Sequence, residues 1–341
     1  IEAAAKSGGG TVYFPPGNYL SGSIRLQSHI TLYLDSGSTI LGASNGIHAY
    51  DPAEPSAYDK FQDFGHNHWH NSLIWGENLE GIAIVGQGAI NGGGVTRGSG
   101  NVRVPDGDGD KSIALKLCRN INLQNFTMAH GGHFAILLTG CDNVGIRNLK
   151  MDTDRDGRDI DCCRNVRVTD CTVNSPNDDA ICPKSSYALG YCRATENVSI
   201  TGCLVSGYKE GSVLDGTYQV ITKDGGGPTG RIKCGTESAG GFKNITVANC
   251  VFDHCRGIAL ESVDGGDIDG VSICNVTMRD CGNSPIFIRL GARLRAPEGT
   301  AVSSVQNIDI NNVVVVGADT KMACLISGIP GHDIEHVRLN N

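Results

Sequence analysis

Seven stretches of the chain carry one pattern, an asparagine (once a glycine) followed by apolar residues at alternate positions. They are "CRNINLQNFTM" (118–128), "CDNVGIRNLKM" (141–151), "CRNVRVTDCTV" (163–173), "TENVSITGCLV" (195–205), "FKNITVANCVF" (242–252), "IDGVSICNVTM" (268–278) and "VQNIDINNVVV" (305–315). Alternation with a period of two is the signature of a strand with one face buried. The third residue of each stretch falls at 120, 143, 165, 197, 244, 270 and 307, and the shortest spacings set a unit of about 22 residues. Longer spacings read as the same unit carrying loops. A repeat of that length made of strands, with no helical period, predicts a solenoid in which each turn stacks on the last, a parallel β-helix. Stacking at about 4.8 Å puts equal offsets from the Asn into columns, and the Asn itself into a hydrogen-bonded ladder at a turn. Residues 11–43 and 78–90 read as earlier, less regular coils. The stretches 45–71, 91–110 and 217–229 lack the repeat and read as projecting loops, with no break between domains over 1–341.

Composition agrees with an all-β architecture. Glycine is abundant (47 residues) and charged residues make up only 19%, as many short strands and tight turns require. A net charge of −8 argues against nucleic acid as a partner. No apolar run reaches the roughly 18 residues of a membrane span. Fourteen cysteines pose a question that the columns answer. Cys118, Cys141 and Cys163 share one column; Cys171, Cys203 and Cys250 share another; Cys182 and Cys324 fall in a third. They are expected as unpaired thiols acting as small core hydrophobes, and without paired CxxC spacing they do not suggest zinc.

The same ruler applied to acidic residues gives a line. His133, Asp156, Asp178 and Glu210 each lie thirteen residues after a repeat Asn, with Asp159 and Asp179 flanking. Like charges one strand spacing apart cannot all ionise cheaply, and such clusters mark functional sites. A solvated turn, a cation site and a catalytic or binding cleft are the three readings; three acidic residues in one column favour the cleft. Late in the chain Arg231, Lys233 and Arg256 form a basic group, with Arg256 beside the acidic column. "GHNHWHN" (65–71) is expected in a loop, either stacking on sugar faces or forming an incidental metal site. "DGDGD" (106–110) has Lys111 where a calcium loop needs glycine and reads as a polar loop.

Over nearly its whole length the chain resembles glycoside hydrolase family 28, the polygalacturonase-like enzymes. "DRDGRDID" (154–161) is similar to the family's Asn-Thr-Asp-Gly motif, "NDDAI" (177–181) to its Gly-Asp-Asp, and "GRIKCG" (230–235) to its Arg-Ile-Lys, in the family's order. The resemblance implies a right-handed parallel β-helix and hydrolysis of pectic glycans with inversion, without metal or cofactor. It implies Asp178 as general acid, Asp156 and Asp179 as holders of the attacking water, and Arg231 and Lys233 as a grip on a uronate carboxylate. Substrate-binding roles are also expected for Glu210, Arg256, His133 and Asp159. The family's Asn-Thr is Asp154-Arg155 here, and its Gly-His-Gly is replaced at "YKEGS" (208–212), which brings Glu210 to the histidine's place. Rhamnogalacturonan or exo-acting branches are therefore expected alongside homogalacturonan cleavage. The expected partner is an acidic plant cell-wall polysaccharide, met by a secreted or periplasmic monomer whose leader, and the family's usual N-terminal segment, are absent from this sequence. The rival readings are a polysaccharide lyase on the same solenoid and a non-catalytic glycan-binding β-helix.

Overall fold

The structure, a computed structural model, describes residues 1–98, 102–222, 227–318 and 322–340. Parts of the loops expected within 91–110 and 217–229 lie outside these residues. Each coil contributes strands to three faces, and successive coils pair in parallel. This is the right-handed parallel β-helix, the hand favoured for strand-to-parallel-strand crossovers. Apolar pairs such as Ile121 and Leu123, Val144 and Ile146, and Val166 and Val168 stack coil on coil in the interior, all at most 3% exposed. Burying each such side chain stabilises the fold by roughly 1.5–3 kcal/mol. Among the described residues no helix is long and apolar enough to cross a membrane.

The recurrent asparagines have a conformational reason. Asn120, Asn143, Asn165, Asn197, Asn244 and Asn307 hold φ between 54° and 57°, the left-handed region that Asn tolerates best after glycine. Gly270, at φ 79°, fills the same place. From Asn120 to Asn244 each side-chain amide donates to the preceding one, Asn143 to Asn120 and Asn165 to Asn143 at 3.1 Å, Asn197 to Asn165 at 3.0 Å, and Asn244 to Asn197 at 3.1 Å, while Asn307, which follows Gly270, donates to Asp269 at 2.7 Å. The repeat's eighth position forms a second such ladder, with Asn148 donating to Asn125 and Asn275 to Asn249 at 3.1 Å.

The fourteen cysteines are all free. Two of the three predicted columns are buried as expected, but Cys324 is exposed, and Cys182 stands opposite Asp159 instead of continuing from Ile160. The histidine-rich stretch also departs from expectation. His66, His68 and Trp69 are at most 3% exposed, so most of the loop's second half packs against the helix and only the His70 ring is partly open to solvent. Its histidines diverge: His66 meets Lys184, His68 meets Asp59, and His70 stacks on Trp75. Likewise "DGDGD" ends in a buried ion pair, Asp110 with Lys111.

One residue of the site face breaks the interior pattern. Arg158 alternates inward with Ile136 and Ile181 and is 0% exposed. One Nη meets the Met151 sulfur, while Nε and the other Nη find no partner. A buried charge without a counter-charge is costly. Replacing Arg158 with Met or Leu is expected to raise unfolding stability by about 1 kcal/mol or more, read by urea titration; a loss would show that a partner had been overlooked.

Candidate active site

The third face carries the site. Its strands run Lys111–Lys116, Phe134–Thr139, Asp156–Asp161 and Ile181–Lys184, continue through the Ile181–Ile232 bridge to Lys233–Cys234, and reach Ile258–Ser262. The pairing corrects the acidic column. Asp152 stands opposite Asn174 and Arg158 opposite Ile181, so the later turn holds one extra residue. That insertion shifts the register by one, placing Asp179, not Asp178, beside Asp156, as the 3.0 Å bond from Gly157 N–H to the Asp179 carbonyl shows. The same slip moved Cys182. Two further bonds extend the row. Gly230 N–H donates to the Asp178 carbonyl and Arg256 N–H to the Thr229 carbonyl, each at 2.9 Å. The row is therefore Phe134, Asp156, Asp179, Gly230 and Arg256.

Glu210 leaves this row. Residues 207–222 form a loop, tied back where Val213 and Leu214 N–H groups donate to Asp152 at 2.9 and 3.1 Å. Glu210 there meets His130 at 3.1 Å. Burial raises its pKa against the pull of His130. Arg97, from the loop after Asn91, pairs with Asp154. These two pairs line a recess of about 230 Å³ on the N-terminal side of Asp156. His133 is also off the row: it is 1% exposed, its Nδ1 donates to the Arg97 carbonyl at 2.7 Å, and Arg155 lies against its ring. Burial, and then Arg155, hold it well below the usual histidine range. A neutral imidazole under Arg155 braces that residue instead of meeting a ligand at the surface.

Three carboxyl groups converge: one oxygen from each of Asp156, Asp178 and Asp179 lies within 4.8 Å of the other two. Their surroundings differ sharply. Burial pushes Asp179 up, but Lys233 and Arg231 outweigh it and hold its pKa at about 2. Arg231 Nε is 2.9 Å from Asp179 Oδ1, and Lys233 pairs with the other oxygen. Asp156 is pushed well above the carboxylate range by burial and then by Asp159 and Asp178. Asp178, with a side chain 28% exposed, is the member that solvent reaches, and Arg155 donates to it at 2.9 Å. Thus Arg231 and Lys233, expected on the substrate, direct charge at the site's own Asp179.

Beneath the trio lies a support that the sequence did not advertise. Lys184 Nζ is buried, 2.8 Å from His66 Nε2, 3.2 Å from Asp159, and 3.7 Å from both Asp156 and Glu237. Burial would discharge it, but Asp156 and Asp159 hold its pKa well above the usual value. His66, kept neutral by burial and by Lys184, accepts a hydrogen bond from the ammonium at Nε2. Burial lifts Asp159 to about 7 against Lys184; at 0% exposure it supports the site from behind and touches no solvent. The signal that could have exposed this group was strand alternation, which turns Asp159 and Lys184 away from the core.

Residues 42–214 match the model of Glycosyl hydrolases family 28. The chain belongs to that family. It is 27% identical over 216 residues to a protein of Vitis vinifera described as a probable polygalacturonase, covering 59% of this chain and 42% of that one. Among solved structures, the family 28 exopolygalacturonase of Yersinia enterocolitica superposes with a TM-score of 0.72 at 19% identity, covering 97% of this chain and 65% of that one. The hyperthermoactive exopolygalacturonase of Thermotoga maritima gives 0.71 at 18% identity, covering 92% and 75%. At these identities the structural likenesses speak for the fold. The chain spans less than half of the Vitis vinifera relative and just under two thirds of the Yersinia enzyme.

Proposed function

We propose that this family 28 chain hydrolyses galacturonate-containing pectic glycans. One observation carries the reading: carboxyl groups within 4.8 Å of each other are driven apart in proton affinity, Asp179 held low by Lys233 and Arg231 and Asp156 raised by burial and its acidic neighbours. Acid and base roles separate in this way where two carboxyls serve one bond cleavage. Asp179 is the base, with Asp156 beside it helping to hold water. Asp178, at the surface, presents the proton to the glycosidic oxygen. The trio is tighter than the roughly 6.5–9.5 Å of inverting pairs. Asp178 is the member free to widen it, since of its side-chain partners only Arg155 belongs to another strand or turn. The cationic lining and the family support an acidic glycan. The recess fenced by Arg97–Asp154 and His130–Glu210 supports attack from a chain end. A substrate of this size implies a secreted or periplasmic enzyme.

The test is product analysis on homogalacturonan and rhamnogalacturonan oligosaccharides. Saturated products with new reducing ends, inverted at the anomeric carbon and unchanged by a chelator, are expected. An unsaturated, UV-absorbing product lost on chelation would establish a lyase instead. Tight binding with no new reducing ends would establish a glycan-binding module.

A further inference from the structure

Among the described residues, every cation that faces the carboxyl trio is already engaged, except one. Arg155 is on Asp178, Lys233 is on Asp179, and Arg231 is shared between Asp179 and Glu261 at 2.9 and 3.5 Å. Arg256 has no ion pair or side-chain hydrogen bond among the described residues, and its Nε is buried without a partner. It is half-buried, and its main-chain N–H is fixed at 2.9 Å to the Thr229 carbonyl. It lies in the row of Asp156 and Asp179, two coils beyond the latter, so about 10 Å along the helix axis. Gly230, which has no side chain, stands between them. A guanidinium held beside Arg231 with no carboxylate in contact is poised for an external anion, and its planar fork matches a carboxylate.

We propose that Arg256 is the residue that selects a uronate carboxylate on the glycan, on the C-terminal side of the bond to be cleaved. This rests on the reading of the trio as a pectic hydrolase. The Arg-Ile-Lys pair then tunes Asp179, and recognition of substrate charge falls to the next coil. Burial and then Arg231 lower the Arg256 pKa, against the more distant pull of Asp179, Asp178 and Glu261.

The test compares wild type, Arg256→Gln and Arg256→Lys on oligogalacturonates and on their methyl esters, with calorimetric binding of trigalacturonate to Asp178→Asn proteins carrying each residue at 256. Expected for Arg256→Gln is a 10- to 100-fold rise in KM and in the trigalacturonate Kd with kcat little changed, the order of one charge-assisted contact. The preference for free acid over ester should collapse, and Arg256→Lys should restore part of it. Thermal stability of the unliganded Arg256→Gln protein should equal or exceed wild type, because an unpaired cation is removed. An unchanged KM and ester preference, or a clear loss of stability, would overturn the proposal. Failure of wild type itself to bind or cleave any oligogalacturonate would instead overturn the functional reading beneath it.

Discussion

Asp178→Asn is expected to lose hydrolysis by about 10²- to 10⁴-fold in kcat, the range of a general acid, while the fold survives. The substitution is isosteric. The carboxylate accepts through separate oxygens, from Arg155 at 2.9 Å and from the Asp179 N–H at 3.1 Å, and the amide oxygen keeps one of the two. A partly exposed pair of this kind contributes at most about 1 kcal/mol, so unfolding should barely move. What disappears is the proton. Asp179→Asn should behave differently, losing stability as well as activity, because Lys233 would be left without its anion and Arg231 with Glu261 alone. The pH dependence follows from the sign of the shift. A carboxyl lowered from 3.8 to about 2 contributes stability that is present above its unfolded value and lost as pH falls through about 2. Acid unfolding in that window should flatten in Asp179→Asn. Retained turnover in Asp178→Asn, measured by reducing-end release, would remove the acid assignment.

Lys184→Met is expected to destabilise the protein by about 3–5 kcal/mol, the cost of stranding buried charge. The ammonium stands among Asp159, Asp156 and Glu237, with the Phe134 ring 5.0 Å away. Methionine fills the volume and leaves Asp159 and Glu237 buried together. Glu237 keeps Arg293 at 3.4 Å, so Asp159 bears most of the loss. The double variant Lys184→Met, Asp159→Asn should therefore recover a large part of the stability, a coupling that denaturant titration of the four proteins measures. Activity supplies a second readout. Lys184 lowers the pKa of both Asp156 and Asp159, so without it both keep protons to higher pH, and the limb of the rate profile that Asp156 sets should move upward. A stable single variant with an unmoved profile would show that Lys184 does not position Asp156.

Much of this was legible in the chain, and the reasons are specific. The left-handed turn position accepts little besides Asn or Gly, so the repeat announced itself and with it the coils. The three motifs fell on one face because strand alternation carried them there. The slip between Asp178 and Asp179 was invisible, since one added residue in a turn leaves no trace in composition and only hydrogen bonds fix which neighbour it displaces. Glu210 was misplaced for a related reason: the loop that holds it is anchored by N–H groups of Val213 and Leu214 on Asp152, contacts that side-chain chemistry does not encode. The meeting of His66 with Lys184 spans 118 residues, beyond any local pattern. The free state of Arg256 is a statement about what its neighbours already hold, which only three dimensions supply.

The asparagine ladder has a consequence for how such a cleft can change. Asn143 follows Asn120 by 23 residues and Asn244 follows Asn197 by 47, yet the amide contacts are both 3.1 Å. The ladder thus works as an indexing rail: each coil is re-seated on it however far the chain has wandered. Doubling a loop adds only about 0.6 kcal/mol of closure entropy. Walls such as the one that carries Glu210 can therefore be lengthened, trimmed or exchanged at small thermodynamic cost, while the row from Asp156 to Arg256 stays in place. Access to the cleft and the chemistry on its floor are separable variables in this molecule.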